Sequence, residues 1–513
     1  MLIFIYHNNA KIVHVENQIG VSLDYNGKVT IAEGISLLAQ KHKEDKIVWC
    51  HLNCKAFLNK AELETICHHD KLMLSYCPAD FNYINRGIGY VDESLFVNVN
   101  KKVSYPTWQM SGSVGIIHAS VLVNIGDKIP FDLDFDYYLN SLAKLAMPLG
   151  LLCYSEPKLL KGTKIEPVCK TSNFILFRFV KQHYKKRWVF LLLLNLIIYE
   201  RQLALLPFLW SFGFKKRNPD FCLEAIKVES SKKVVSNKTV DVIIPTIGRK
   251  PYLYDVLKDL ARQTLLPEKV IIVEQNPIPE SVSELDYLET EFWPFKIERV
   301  FTHQAGACHA RNLALTKVTS EWVFLADDDI RFENIFFEKA FTNIDKFAIT
   351  AISMNCLQKN EENILSLVFQ WSSFGSGCSI VAKRVLKLCH FNLSLEFGYG
   401  EDVDFGMQLR NLGQDVLFLP EPKILHLKAP VGGFRTKAVL KWQNDLIPPK
   451  PSPTVMLSHI LHKTKEQNLG YKTILFLKYY KHQKIKNPIR YLLYFRKQWK
   501  QSVFWATQLN SES

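Results

Sequence analysis

The chain has 513 residues, 48% of them hydrophobic, and a formal net charge of +14. That length exceeds a single core, and that composition excludes a disordered chain. The charge calls for an anionic partner: nucleic acid, an anionic bilayer surface or a phosphorylated substrate.

In chain order, residues 1–165 alternate short apolar runs with polar breaks and read as an α/β domain. The start, MLIFIYHNNAKIVHVE, has no basic stretch ahead of its apolar run, so no secretory signal is expected. Cys50, Cys54, Cys67, His68 and His69 match no standard zinc spacing and read as structural. The eleven cysteines are scattered, and Cys308, Cys356 and Cys378 fall in segments that read as core or active-site loop. A reducing, cytoplasmic compartment is expected.

Residues 166–237 read as a helical insert and linker. The run Trp188 to Tyr199 is too short to cross a bilayer and is followed by Glu200 and Arg201. A second run, Leu203 to Phe214, holds Pro207 and ends on Lys215, Lys216 and Arg217. Both read as buried or interfacial helices.

Residues 238–440 carry the clearest pattern. VDVIIP (Val240 to Pro245), KVIIVEQ (Lys269 to Gln275) and EWVFLADDD read as apolar strands, separated by the helices YLYDVLKDLARQT and GACHARNLALTKV. Such an order predicts a mostly parallel sheet buried on both faces. Ligands of these sheets bind at the carboxyl ends of the strands. The polar groups Thr246 to Arg249, Glu274 and the triplet Asp327, Asp328 and Asp329 stand at those ends. Three adjacent carboxylates after an apolar strand are unfavourable unless a cation joins them. Mg²⁺ or Mn²⁺ takes one or two carboxylates together with substrate phosphates. Alternate residues of an extended chain share a face, so Asp327 and Asp329 are expected to point to one site and Asp328 elsewhere.

Four segments of the first 165 residues echo the third region in the same order. SLLAQKHKEDKIVWCHLN echoes NLALTKVTSEWVFLADD, and GSVGIIHASVL echoes GSGCSIVAKRVL. DLDFDYYLNSLAKLAMPLG echoes EDVDFGMQLRNLG, and SEPKLL echoes PEPKIL. In the first copy the aspartates become His51, Leu52 and Asn53. This predicts a degenerate N-terminal copy without the metal group.

The motifs VDVIIPTIGR, VIIVEQ, AGACHARNLAL, FLADDD, FGSGCSIVAKRV, GYGEDVDFGMQLRNLG and PKILHLKAPVGGFR stand in that order between Val240 and Arg435. As a set they resemble family 2 glycosyltransferases, whose fold is of glycosyltransferase A type. The resemblance implies donor binding by Thr246, Gly248, Arg249, Glu274 (where an aspartate is usual), Arg311, Asp327 and Asp328, with Arg435 on the diphosphate. It implies metal binding by Asp329, Asp327 and His426. It implies Asp402 as general base, with Glu401 second. Trp371 is a candidate stacking surface for the acceptor sugar. One base and one metal-held leaving group suffice for a single displacement, so inversion at the anomeric carbon is expected.

The tail, 441–513, holds thirteen Lys or Arg against Asp445, Glu466 and Glu512 and interleaves cations with aromatics. It reads as a basic amphipathic helical tail suited to an anionic membrane surface. The sequence therefore predicts an α/β protein with a glycosyltransferase A-type sheet, a smaller related α/β domain before it and helical flanks. Its expected function is metal-dependent hexosyl transfer from a nucleotide sugar, a UDP-sugar first among them. The acceptor would be a glycan or lipid-linked molecule in surface polysaccharide synthesis, at the inner face of the cell membrane. The rivals are a metal-dependent nucleotidyl- or phosphotransferase, which leaves the Gly-Glu-Asp motif idle, and a basic nucleic-acid-binding protein, for which no RNA-binding fingerprint is found.

Overall fold

The computed structural model describes all residues except Asn26, Asp80, 163–171, Asn363, 431–438 and 512–513. The chain divides into two compact units. The first comprises Met1–Lys232 with Lys463–Leu477, and the second Lys233–His462 with Lys478–Ser513. The helical insert therefore folds within the first unit, and the tail is shared between the two.

The first unit holds a sheet of β1 (Leu2–His7), β2 (Ile12–Asn17), β3 (Lys46–His51), β4 (Leu72–Tyr76), β5 (Tyr105–Pro106), β6 (Val114–His118) and β7 (Leu152–Ser155). The second holds β8 (Val240–Thr246), β9 (Lys269–Gln275), β10 (Lys296–Thr302), β11 (Trp322–Ala326), β12 (Ile330–Phe332), β13 (Ala351–Gln358), β14 (Phe369–Gln370), β15 (Cys378–Ala382) and β16 (Leu417–His426). Strand order is β2-β1-β3-β6-β4-β7-β5 in one and β10-β9-β8-β11-β15-β13-β16-β12 in the other.

The parallel character expected of the second sheet belongs to the run β10-β9-β8-β11. Beyond β11 the sheet is mixed: β15 is antiparallel to β11 and β13, while β13 and β16 are parallel. The first sheet repeats this arrangement. β1 and β3 are parallel, β6 is antiparallel to β3 and β4, and β4 and β7 are parallel. Register places Lys46 opposite His118 and Trp322 opposite Ala382. His51 thus occupies the position of Asp327, as the sequence echoes predict. The copies diverge at one edge, where antiparallel β2 stands on β1 in place of parallel β9.

Both cores follow from apolar strands packed under amphipathic helices. In the second unit Ile243, Ile271, Val323, Leu325 and Val381 are fully buried with Phe405 and Leu409 of the helix Glu401–Asn411. VDVIIP is not wholly apolar in its role, because Asp241 inside β8 is 0% exposed. Its carboxylate accepts hydrogen bonds from Thr319 N (2.6 Å), Ser320 N (2.9 Å) and Ser320 Oγ (2.7 Å), fixing the turn that enters β11. Asp241→Ala is expected to destabilise the fold by about 3 kcal/mol, because these buried donors lose their acceptor. Urea unfolding followed by circular dichroism measures it.

The tail helix Pro488–Ser511 buries one stripe, Tyr491, Phe495, Gln498, Ser502 and Ala506. Met456, Leu457 and Leu395 form a cluster with Ala506, and Ser502 Oγ donates to Pro451 O at 2.7 Å. Among the described residues no helix is long and apolar enough to cross a membrane.

Candidate active site

β8, β9 and β11 end side by side because they are parallel neighbours, so the residues following them meet. Thr246, the last residue of β8, donates from Oγ1 to Asp328 Oδ2 at 2.7 Å. Gly248 takes φ +62°, a turn that a side chain disfavours. The turn brings Arg249 Nη1 to 2.6 Å from Asp328 Oδ1 and 3.3 Å from Asp329 Oδ2. Burial pushes Asp328 up to about 6 despite that partner.

Asp329, which shares Arg249 with Asp328, also meets Asp327. One ligand atom from Asp327 and one from Asp329, with one from His426 at the end of β16, form a group within 4.8 Å. It is the one group among the described residues with the makings of a cation site. Asp329 is 2% exposed. Its Oδ2 accepts from Ala429 N at 2.8 Å, whereas its Oδ1, sealed from solvent, accepts no hydrogen bond. His426 Nε2 stands 3.3 Å from that atom. Burial opposes the charge of Asp329, but His426 and the Ala429 N–H hold its carboxyl below the usual range. A buried carboxylate oxygen whose polar neighbours are an imidazole and a second carboxylate fits a divalent cation.

Arg311, on the helix Ala307–Leu315, donates from Nη2 to Asp327 Oδ1 at 3.0 Å. Its buried Nε has no hydrogen-bond partner. Asp402, second residue of the helix Glu401–Asn411, accepts from Ser376 N at 3.1 Å. The next residue, Gly377, abuts Asp327: a Cβ there would lie 2.1 Å from the Asp327 Oδ2 atom. The dipeptide Ser376-Gly377 therefore spans the two carboxylates. Burial raises the Asp402 carboxyl, and burial followed by the neighbouring Asp402 pushes Glu401 up to about 7. These are groups whose surroundings favour accepting a proton.

Glu274 is buried at the end of β9, where Ser283 Oγ and Glu284 N (2.9 Å) donate to its carboxylate. Trp371 stacks on Phe418 at 4.3 Å between centroids, which occupies one face of its ring. Arg435 lies outside the described residues.

Three features escape the sequence reading. Glu396 accepts from Cys308 N (3.1 Å) and His309 N (2.8 Å), covering the start of the helix that carries Arg311. Asp404 accepts from His462 Nε2 at 2.7 Å, tying the Asp402 helix to the helix Pro453–His462. The thiols of Cys356 and Cys378 hydrogen-bond each other near Asp327 and His426. Both cysteines fall in segments that read as core or active-site loop in sequence, but their pairing carries no signal there.

The strand ends, the paired aspartates and the helix bearing Asp402 agree with the resemblance drawn from the motifs. Residues 241–375 match glycosyl transferase family 2. The match begins in β8 of the mixed α/β sheet, and an N-terminal sheet of repeated topology precedes it. An uncharacterized glycosyltransferase of Bacillus subtilis, YwdF, is 31% identical over 106 residues, 21% of this chain and 38% of that protein. The match thus spans well under half of that relative's length. Among solved structures, S. aureus TarS 1-349 in complex with UDP-GlcNAc is similar with TM-score 0.33 and 18% identity, over 46% of this chain and 70% of that one. A mannosyltransferase from Pyrobaculum calidifontis in complex with GDP-Man and Mn²⁺ gives TM-score 0.30 and 17% identity, over 55% and 78%.

Proposed function

We propose that the second unit transfers a hexosyl group from a nucleotide-diphosphate sugar to a hydroxyl of a glycan or lipid-linked acceptor, with inversion. The proposed setting is surface polysaccharide synthesis at the inner face of the cell membrane. The observation that carries this reading is the pairing, across Ser376-Gly377, of a cation-fitting group with a carboxylate of raised proton affinity. A nucleotidyltransferase would use the first and have no task for the second.

In this mechanism Asp329, Asp327 and His426 would hold Mn²⁺ or Mg²⁺, which would supply charge stabilisation for the departing diphosphate. Thr246 and Arg249 orient Asp328 behind the donor pocket, and Gly248 lets the nucleotide approach the backbone. Arg311 balances Asp327 and offers its unpaired Nε side to the donor. Glu274 steadies the loop 283–284 that borders the base. Arg435 is assigned to the diphosphate and Trp371 to the acceptor. Asp402 takes the proton from the acceptor hydroxyl as it attacks, and Glu401, pushed up to about 7 by burial and by Asp402, is partly protonated near neutral pH and so weakens the second negative charge beside it.

A thermal-shift panel of nucleotide sugars with and without Mn²⁺ tests the reading, with a UDP-sugar expected to stabilise only with the metal. NMR of the product is expected to show the inverted anomer. A retained anomer removes Asp402 from its role, and stabilisation without metal removes Asp329 from its own.

A further inference from the structure

We propose that the segment 187–214 is the chain's membrane contact, an apolar face that enters the interface of an anionic bilayer. Ten large apolar side chains between residues 190 and 212 are exposed, among them Leu206 (73%), Leu203 (68%), Leu209 (62%) and Phe190 (55%). Eight of them belong to the helix Arg187–Asn195, the π-helical turn Leu196–Glu200 and the helix Leu205–Ser211, with Leu203 ahead of that last helix and Phe212 just after it. Ring contacts join parts of this face. Phe190 meets Phe208 at 5.3 Å and Phe212 at 5.9 Å, and Trp210 meets Phe174 at 5.4 Å. Soluble monomers seldom leave a large contiguous apolar surface to water.

Charge identifies the occupant. Between residues 185 and 217 the only acid is Glu200, and it accepts the Tyr90 hydroxyl at 2.7 Å. Exposed cations stand at both ends of the face: Lys185, Lys186 and Arg187 before it, Lys215 and Lys216 after it. An apolar face framed by cations, with Trp210 46% exposed, has the chemistry of a helix pair lying in the plane of acidic headgroups. A second copy of this chain would set like charges against each other. The helix Pro488–Ser511 of the basic tail buries one stripe inside the second unit and leaves a smaller apolar set exposed, among them Ile489, Leu493 and Phe504. The contact stands on this surface alone. Its use in presenting a lipid-linked acceptor rests on the glycosyltransferase reading.

The test is cosedimentation of the full chain with phosphatidylcholine vesicles, with and without phosphatidylserine. The wild type is expected to pellet with the anionic vesicles, and Leu206→Asp with Leu209→Asp to weaken partitioning at least about tenfold. Both positions are exposed, and circular dichroism checks the fold. A separate variant, Lys215→Gln with Lys216→Gln, is expected to lose the preference for anionic lipid while keeping the apolar face. Unchanged vesicle binding in the aspartate variant overturns the proposal, as does a wild type that ignores vesicles. A wild-type dimer that this variant splits, seen by light scattering, overturns it in favour of a contact between copies. Nucleotide-sugar binding measured in parallel is expected to stay unchanged, so a failure here and a failure of the proposed reaction are separately visible.

Discussion

Asp329→Asn is expected to abolish metal-dependent donor binding and to lower transfer by roughly 10³-fold, the rate equivalent of about 4 kcal/mol of charge stabilisation. Asparagine is the informative choice. Its amide oxygen still accepts from Ala429 N, so the segment after β16 stays anchored and thermal stability should remain close to that of the wild type. The charge facing Asp327 and His426 is gone. Alanine would mix this effect with the loss of a buried acceptor, itself about 1–3 kcal/mol. Calorimetric titration with Mn²⁺ and a UDP-sugar, beside a continuous assay of nucleotide release, measures both parts. If donor binding in Asp329→Asn remains stimulated by metal, the cation sits elsewhere.

Asp402→Asn is expected to lower kcat by about 10²- to 10⁴-fold while donor affinity holds, the pattern of a lost general base. The wild-type pH profile is the companion measurement. The base works only when deprotonated, and burial raises the Asp402 carboxyl above its ordinary value. Activity should therefore fall on the acid side at a pH above the usual aspartate range, and the variant should lose that limb. Asparagine preserves the acceptor for Ser376 N. The first unit shows that this bond has a structural side. There Asp136, second residue of the helix Phe135–Ala146, accepts from Gly112 N at 2.7 Å, where His51 and Asn53 replace the aspartates. Asp402→Ala should accordingly lose stability as well as rate.

What sequence discloses here follows the range of the interactions. β8, β9 and β11 were legible because a strand buried on both faces must be apolar, and the position of the aspartates then follows from the strand ends. The relation between the halves was legible from four segments in one order, and the shared strand pairing is its physical counterpart. Asp241 passed unremarked because its partners, Thr319 and Ser320, lie 78 and 79 residues away. Glu396 was invisible for the same reason, since its bonds to Cys308 and His309 join loops 88 and 87 residues apart. The tail's periodic aromatics looked like a lipid-facing stripe. One stripe of that helix packs against Met456 and Leu457, a contact that periodicity alone does not disclose, while Leu493 and Phe504 stay exposed.

Consecutive Cα atoms in a trans chain stand about 3.8 Å apart whatever the rest of the molecule does. Because Ser376 and Gly377 are consecutive, one against each carboxylate, a covalent length rather than a loop closure ties Asp402 to Asp327. Breathing of the surrounding turns would shift both ends together, so in the proposed reaction the two halves of the displacement would stay in step.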